Sequence, residues 1–108
     1  MAKGYVPQRG DVVWLQAGKR PALVLSPSAY NARVGLALLC PITSQRKGYP
    51  FEVALPADTK IQGVVLADQV RSLDWRVRRA KRADSVPCAV LDETVAKIRA
   101  LLEPEEAA

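Results

Sequence analysis

The sequence contains no histidine, and this absence narrows the chemistry available to the chain. Histidine is the usual general base at neutral pH, so the commonest form of acid–base catalysis is excluded. His-containing zinc sites are excluded too, and two cysteines are too few for a four-cysteine site. The carboxylates of the central part show no metal-ligand spacing: Glu52, Asp58, Asp68 and Asp74. We therefore expect neither a metal ion nor a cofactor.

Long apolar runs are also lacking. No stretch approaches the roughly 20 apolar residues that a membrane span requires. The first five residues lack the apolar segment of a secretory signal. We expect a cytoplasmic protein without a membrane-bound part. Cys40 and Cys88 stand among apolar residues, which predicts buried free thiols in a reducing compartment.

Positive charge is in excess and is unevenly distributed. The formal net charge is +5. Residues 1–83 carry fourteen Lys/Arg against five Asp/Glu, whereas residues 84–108 carry two against six. A basic body favours an anionic partner, and nucleic acid is the commonest one. A solvated basic face explains the charge equally well, so charge alone leaves the partner open.

Apolar runs separated by turn residues predict a single, mainly β domain over residues 1–108. The predicted strands are residues 11–16, 20–26, 34–42, 51–55, 63–67 and 69–75, with a short turn at 17–19. The second and third strands are apolar on both faces, which suits the inside of a closed or tightly folded sheet. Closure removes exposed edges, so we expect a small barrel. The basic stretch 76–82 is a candidate strand edge.

The last element has a helical period. Its apolar residues recur at spacings of four, three and four: Leu91, Val95, Ile98 and Leu102. This pattern predicts an amphipathic helix packed on the barrel. Asp84 or Ser85 is a candidate N-cap, with Pro87 in the first turn. Pro104 ends the helix, and residues 103–108 are expected to form a flexible tail.

Two polar positions at strand ends are candidates for phosphate binding. Arg20 begins an apolar strand and is fixed by Pro21, so its guanidinium must reach water or an anion. Thr43, Ser44 and Gln45 stand where the buried third strand leaves the sheet, and their small donors suit a phosphate oxygen. A surface arginine and ordinary turn chemistry are the alternatives.

Basic and aromatic residues follow in two further places. Arg46, Lys47 and Tyr49 form a loop that suits single-stranded nucleic acid, by charge and by stacking. In the later basic stretch, Arg76 and Arg78 would share one face of a strand. That stretch is either a phosphate track or a solvated edge that resists aggregation.

The absence of histidine and of a metal site also indicates which nucleic acid would be the substrate. Cutting DNA without a metal or histidine leaves no activated nucleophile. RNA supplies its own nucleophile, the 2′-hydroxyl. Arginine, hydroxyl and amide groups are sufficient to stabilise the transition state of that internal attack. A nuclease built from this chain is therefore expected to act on RNA.

The same motifs, taken in order, resemble the MazF/PemK toxins of bacterial toxin–antitoxin systems. They are GDVVW at 10–14, RPALVLSP at 20–27, YN at 30–31, PITSQ at 41–45, KGYPFEV at 47–53 and GVVLADQV at 63–70. The resemblance implies an SH3-like barrel of the CcdB/PemK type, assembled as a homodimer. It also implies a ribosome-independent endoribonuclease that cuts single-stranded mRNA at a short sequence. The products would carry a 2′,3′-cyclic phosphate and a 5′-hydroxyl.

The resemblance also implies roles for particular residues. Arg20 and Thr43 occupy the catalytic positions, and Ser44 and Gln69 match positions that line the RNA site. Arginine stays protonated in proteins, so an electrostatic role for Arg20 is favoured over that of a general base. Four RNA contacts inferred from the loop and the basic stretch complete the expected site: Gln45, Lys47, Tyr49 and Arg76. The expected partner is an antitoxin with an acidic, disordered tail.

One departure from the family pattern leaves other functions open. The connection between the first two strands is short, at residues 16–19, and lacks the glutamate that many members carry. This leaves the recognised base sequence open. One alternative is a non-catalytic barrel toxin that binds a protein target such as DNA gyrase, although the acidic end of the chain argues against it. The other is an RNA-binding module without activity.

Overall fold

A computed structural model describes residues 4–16 and 18–104 of the chain. Its strands are β1 (Asp11–Leu15), β2 (Arg20–Val24), β3 (Leu36–Thr43), β4 (Glu52–Ala54), β5 (Val64–Leu66), β6 (Arg71–Asp74) and β7 (Lys81–Ser85). Its helices are α1 (Ser28–Val34) and α2 (Cys88–Leu102), with a 3-10 turn at Ala67–Gln69. Each predicted strand is present, most of them shorter by one or more residues. Ala17 of the predicted turn and residues 105–108 of the predicted tail lie outside the described residues.

The strands form one antiparallel sheet that bends around β3. Its order is β4-β5-β3-β2-β1-β7, and β6 pairs with the first half of β3. The second half of β3 pairs with β5, so this strand passes from one part of the sheet into the other. Mainly β structure with a C-terminal helix is confirmed. The small barrel is confirmed in an open form: the bent sheet is roughly barrel-like, and its end strands β4 and β7 do not pair with each other among the described residues.

Alternate residues of the central strands enter two separate cores. Val12 and Leu23 belong to the first core, which α2 covers, and Val13 and Val24 belong to the second. This explains why the second and third strands are apolar on both faces. Burying both faces removes apolar surface from water on each side of the sheet, at about 25 cal/mol per Å².

The two cysteines differ in their surroundings. Cys40 lies fully buried in the first core, and burial, followed by the charge of Asp68, raises its pKa to about 12. It is therefore an unreactive thiol at neutral pH. Cys88 is exposed at the start of α2, so the prediction that it is buried is wrong. The first turn of this helix faces solvent, and the first buried position after it is Val90.

Helix α1 was absent from the sequence prediction because tertiary contacts hold it. Its seven residues show no clear apolar period, and Asn31 is its one buried member. The Asn31 amide donates to the carbonyl oxygens of Pro7 at 2.8 Å and Ser26 at 3.0 Å. Trp75 Nε1 donates to the Asn31 carbonyl oxygen at 3.0 Å. A buried amide with every partner in place fixes this helix to two distant segments.

Helix α2 confirms the predicted amphipathic helix and corrects its beginning. Leu91 and Ile98 pack against the first core. The N-cap is Pro87, without a side-chain cap, whereas Asp84 and Ser85 belong to β7. Asp84 instead accepts the backbone N–H of Lys60 at 2.7 Å, and this bond lowers the pKa of Asp84. Among the described residues, no helix has the length and apolarity needed to cross a bilayer.

Candidate active site

The two expected catalytic residues stand at the same end of neighbouring strands. In the β2–β3 ladder, Leu23 lies opposite Cys40 and Ala22 lies opposite Pro41, where the pairing ends. Arg20, the first residue of β2, and Thr43, the last residue of β3, lie two residues beyond that last pair. Arg20 is paired with Leu15 of β1 and Thr43 with Val64 of β5, so each is held on a strand, which is more rigid than placement on a loop.

A cavity of about 330 Å³ lies beside Arg20, and we call it the arginine cavity. Its polar lining consists of Gln16, Arg20, Gln69, Arg71 and Arg78. Its apolar wall consists of strand residues: Leu15, Pro21, Ala22, Leu39, Pro41 and Leu73. Among the described residues, no carboxylate lies within 4.0 Å of the three guanidinium groups. Such a concentration of unpaired positive charge suits a phosphate.

A second cavity of about 170 Å³ lies beside Thr43, and we call it the threonine cavity. Its lining residues are Thr43, Gln45, Lys47, Tyr49, Glu52, Leu66 and Gln69. Gln69 lines both cavities, so the two are neighbours separated by one side chain. The two cavities therefore adjoin each other at Gln69.

The backbone around Thr43 is held closely. Its Oγ1 accepts the backbone N–H of Gln45 at 3.1 Å, which orients the hydroxyl so that its hydrogen can point to a ligand. On the other side stands Gly63, with φ +129°. A Cβ at Gly63 would lie 2.1 Å from the Thr43 carbonyl oxygen, so only glycine leaves room for Thr43.

Glu52 anchors the loop that follows Thr43. Its two carboxylate oxygens accept the backbone N–H groups of Lys47 at 2.9 Å and Gly48 at 3.0 Å. These bonds lower the pKa of Glu52. An ionised carboxylate with both oxygens occupied is a poor proton acceptor, so Glu52 is a loop anchor rather than a general base.

Tyr49 is fixed at the other end of this loop. Its hydroxyl donates to the carboxylate of Asp68, and that bond is the main cause that raises the pKa of Tyr49. Its ring stands edge-on to Phe51, with centroids 6.4 Å apart. The ring remains partly exposed, at 37%. A neutral, oriented aromatic ring beside a basic cavity is suited to stacking on a base.

Most of the predicted site residues line the two cavities, but two do not. Arg20, Thr43, Gln45, Lys47, Tyr49 and Gln69 line them. Ser44 is exposed next to the threonine cavity without lining it. Arg76 lies apart: its guanidinium packs over the Trp75 ring at 4.9 Å and donates to the Ala32 carbonyl oxygen at 3.0 Å.

The strand placement of Arg76 and Arg78 on one face is wrong, because residues 75–79 form turns. The turns point Arg76 toward α1 and Arg78 into the arginine cavity. Sequence reasoning missed Arg71 and Arg78 as lining residues. Arg78 belongs to the basic stretch 76–82, which is the signal that pointed to this region, whereas Arg71 precedes it as the first residue of β6. Only the fold shows which of its arginines reach the cavity.

Metal-ligating side chains are not clustered in the part of the chain that the structure describes. Within it, no group of three or more His, Cys, Asp and Glu residues is placed to hold a metal ion. The polar groups of both cavities are therefore cations, amides and hydroxyls, with Glu52 committed to its loop.

Comparison with known proteins gives one consistent answer. Residues 7–102 match the family model described as PemK-like, MazF-like toxin of type II toxin–antitoxin system. The endoribonuclease toxin MazF of Escherichia coli K12 is 45% identical over 94% of this chain and 99% of its own length. The endoribonuclease toxin ChpB of the same strain is 34% identical over 89% and 94%. A MazE–MazF crystal structure from Deinococcus radiodurans superposes with a TM-score of 0.90 at 57% identity, covering 92% of this chain and 98% of that one. The chain therefore belongs to the PemK-like, MazF-like toxins of type II toxin–antitoxin systems.

Proposed function

We propose that this protein is an RNA-cleaving toxin held in check by an antitoxin. The placement of Arg20 and Thr43 at the same end of β2 and β3, each lining one of two cavities that share Gln69, carries the proposal. The relatives named as endoribonuclease toxins support it. A cleaver of mRNA acts in the cytoplasm, and we place the protein there.

The reaction we propose is internal attack by a ribose 2′-hydroxyl on the adjacent phosphorus. The 2′-oxygen–phosphorus bond forms, and the bond from phosphorus to the 5′-oxygen breaks. The 2′-hydroxyl loses its proton and the departing 5′-oxygen gains one, which leaves a 2′,3′-cyclic phosphate and a 5′-hydroxyl. No metal or cofactor takes part, because the substrate supplies the nucleophile.

Arg20 and Thr43 would act on the phosphate between them. The negative charge on its oxygens grows in the transition state, and Arg20 stabilises it with fixed positive charge. Thr43 donates its hydroxyl hydrogen to a phosphate oxygen. Arg71 and Arg78 add positive charge in the arginine cavity, which lies next to apolar walls where charge interactions are stronger than in water.

Binding of the neighbouring nucleotides falls to the threonine cavity and its loop. Lys47 contacts the backbone by charge, and Tyr49 stacks on an unpaired base. Gln45 and Gln69 present amides that bond base edges. Ser44 contacts the strand from beside the cavity. These polar groups support recognition of a short base sequence.

Purified protein, without ribosomes and with excess chelator, is expected to cut a long single-stranded RNA at a short repeated sequence. Primer extension locates the cuts, and end-labelling with and without phosphatase identifies 2′,3′-cyclic phosphate and 5′-hydroxyl ends. Replacing the ribose at a cut site by 2′-deoxyribose is expected to abolish that cut, since it removes the nucleophile. Cleavage that requires an added divalent metal, or equal cleavage of DNA of the same sequence, contradicts the mechanism.

We propose an acidic segment of the antitoxin as the competing ligand of the same cavities. Arg20, Arg71, Arg78 and Lys47 face them, and carboxylates bind guanidinium groups with the same two-pronged geometry as phosphates. A disordered acidic tail can follow such an extended basic surface. The MazE–MazF complexes are those of relatives, and this chain shares their fold.

We also propose that the protein is a homodimer. An apolar surface between α2 and the sheet, called the apolar patch, includes large exposed side chains: Leu38, Val70 and Leu102, with Leu91, Val95 and Ile98 beside them. Arg9, Asp92 and Arg99 also line it and give both signs of charge, which suits a self-complementary contact between two copies.

Leu38→Glu is expected to convert the dimer to a monomer of about 11.8 kDa at micromolar concentration, because it buries a charge in the apolar contact. Light scattering coupled to gel filtration measures the mass. Val77→Glu is the matched control, since Val77 is 77% exposed in a turn and does not line the apolar patch. A monomeric wild-type protein contradicts the proposal, as does a dimeric Leu38→Glu protein.

A further inference from the structure

A basic groove of about 630 Å³, which none of the proposed catalytic residues lines, opens on the other side of the β1–β2 turn. We call it the Trp14 groove. Its lining residues are Trp14, Gly18, Lys60, Ile61, Arg79, Lys81, Arg82 and Ala83. Four of the eight are cations and none is a carboxylate. The groove is larger than the arginine cavity and has the same sign of charge.

The nearby carboxylates neutralise only part of this charge. Arg82 Nε pairs with Asp11 Oδ1 at 3.4 Å. Asp84 is tied to the backbone N–H of Lys60 and feels the charges of Lys60 and Arg82. Arg79 and Lys81 are exposed, and neither forms an ion pair within the described residues. The groove therefore keeps at least two cations for a ligand.

Trp14 adds a flat aromatic surface to these cations. It is half-buried, packing against the first core on one side and lining the groove on the other. An aromatic ring among lysines and arginines suits an unpaired base with its flanking phosphates, because stacking and charge act on adjacent parts of one nucleotide. An acidic peptide would use the cations but leave the ring without a matching partner.

The groove continues from the proposed active site. Arg78 lines the arginine cavity, and its chain neighbour Arg79 lines the Trp14 groove. In the same way, Gln16 lines the arginine cavity and Gly18 lines the Trp14 groove. The backbone N–H of Gln16 donates to the Arg78 carbonyl oxygen at 2.8 Å, which ties the two turns together at the border.

The backbone at this border is specialised. Gln16 and Arg79 are the two non-glycine residues with positive φ in the described chain, at 53° and 55°. Most side chains avoid this left-handed conformation. At Arg79 this conformation turns the chain, so that Arg78 lines the arginine cavity and Arg79 lines the Trp14 groove. A strand of RNA leaving the arginine cavity therefore meets cations on both sides of a narrow turn.

From these observations we propose that the Trp14 groove binds single-stranded RNA flanking the cut site, with Trp14 stacking on a base and Arg79 and Lys81 contacting phosphates. The inference rests on the proposed function, since it concerns the same substrate outside the two cavities. It predicts that nucleotides beyond the recognised sequence add to affinity without contributing to the chemical step.

The test uses two RNAs carrying a mapped cut site with a 2′-O-methyl group on the attacking ribose, which permits binding and blocks cleavage. One covers the cut site alone and the other extends it by about ten nucleotides on each side, a length estimate based on the site sizes of single-strand binders. The variant is Arg79→Gly/Lys81→Ala, in which glycine keeps the left-handed backbone. Lys81→Glu and Arg33→Glu form a matched pair, because Arg33 is an exposed cation of α1 away from the groove.

The double variant is expected to bind the extended RNA about tenfold more weakly at low salt and to lower the slope of log K against log salt by about 1.4. Its affinity for the short RNA should stay unchanged. Lys81→Glu should weaken binding of the extended RNA, and Arg33→Glu should bind as wild type.

If wild type and double variant bind the extended RNA with equal affinities and equal slopes of log K against log salt, the groove inference is overturned. The proposed function is unaffected by that result as long as the wild type cleaves unmodified RNA. Unchanged RNA binding with weakened binding of an oligoglutamate peptide also overturns it and assigns the groove to an acidic chain. Absence of any cleavage by the wild type would instead overturn the proposed function, which keeps the two failures distinct.

Discussion

Arg20→Ala is expected to lower the rate of RNA cleavage about 10²–10³-fold, the usual effect of removing one preorganised donor to a developing negative charge. Arg20 is exposed at the start of β2, so the melting temperature should stay near that of wild type. Thr43→Val, which replaces the hydroxyl by a methyl group of similar shape, is expected to act in the same direction. Initial rates on an RNA with a mapped cut site measure both effects.

The two residues are expected to act on one phosphate and therefore to be coupled. The double variant should lose less than the product of the two single losses, since either change alone already misplaces the reacting group. Arg33→Ala controls for the loss of a positive charge. Arg20→Lys should restore only part of the rate, because lysine lacks the planar fork of donors. Wild-type rates in both single variants would overturn the site assignment.

Gly63→Ala is expected to destabilise the fold and to displace Thr43. The new Cβ would lie 2.1 Å from the Thr43 carbonyl oxygen, 2.8 Å from its carbonyl carbon and 3.1 Å from Ser44 Cα. Overpacking costs about 1–3 kcal/mol and a strained φ adds about 1–3 kcal/mol, so we expect a loss of roughly 2–6 kcal/mol. For a domain of this size that lowers the melting temperature by about 10 °C or more.

Gly48→Ala separates the steric clash from backbone strain. Gly48 also has a positive φ, +79°, but no heavy atom lies within 4 Å of its added Cβ. Its substitution should therefore cost only the strain, and Thr43 should stay in place. Calorimetry gives the two stabilities, and the cleavage rate of the folded fraction reports on Thr43. Equal stability and equal activity of the two variants would show that the close approach at Gly63 does not constrain Thr43 as described.

Much of the fold follows from local sequence signals, because buried strands leave apolar runs and α2 leaves a clear 3.6-residue period. Helix α1 does not, since the buried amide of Asn31 holds it through partners at Pro7, Ser26 and Trp75. Such long-range hydrogen bonds have no local signature. The same holds for the beginning of α2, where Asp84 bonds the distant Lys60 instead of capping the helix.

Local sequence signals likewise predict one part of the candidate site and miss another. Arg20 and Thr43 stand out at strand ends, and their position at the same end of neighbouring strands follows once the β2–β3 register is known. The directions in which the arginines of the basic stretch point depend on turns in which Arg79 has a left-handed backbone conformation. Amino-acid composition does not identify such a conformation. Arg76 consequently lies on Trp75 beside α1, while Arg78 reaches the arginine cavity.

The ladder between β2 and β3 has an evolutionary consequence. The groups proposed for chemistry, Arg20 and Thr43, belong to the two strands that it joins, whereas Gln45, Lys47 and Tyr49 belong to a connection anchored by Glu52 and Asp68. On the proposed function, substitutions in that connection would change which nucleotides are accepted and leave the reacting geometry intact. A lineage of such proteins would then diversify its targets by drift in one short segment, without passing through inactive intermediates.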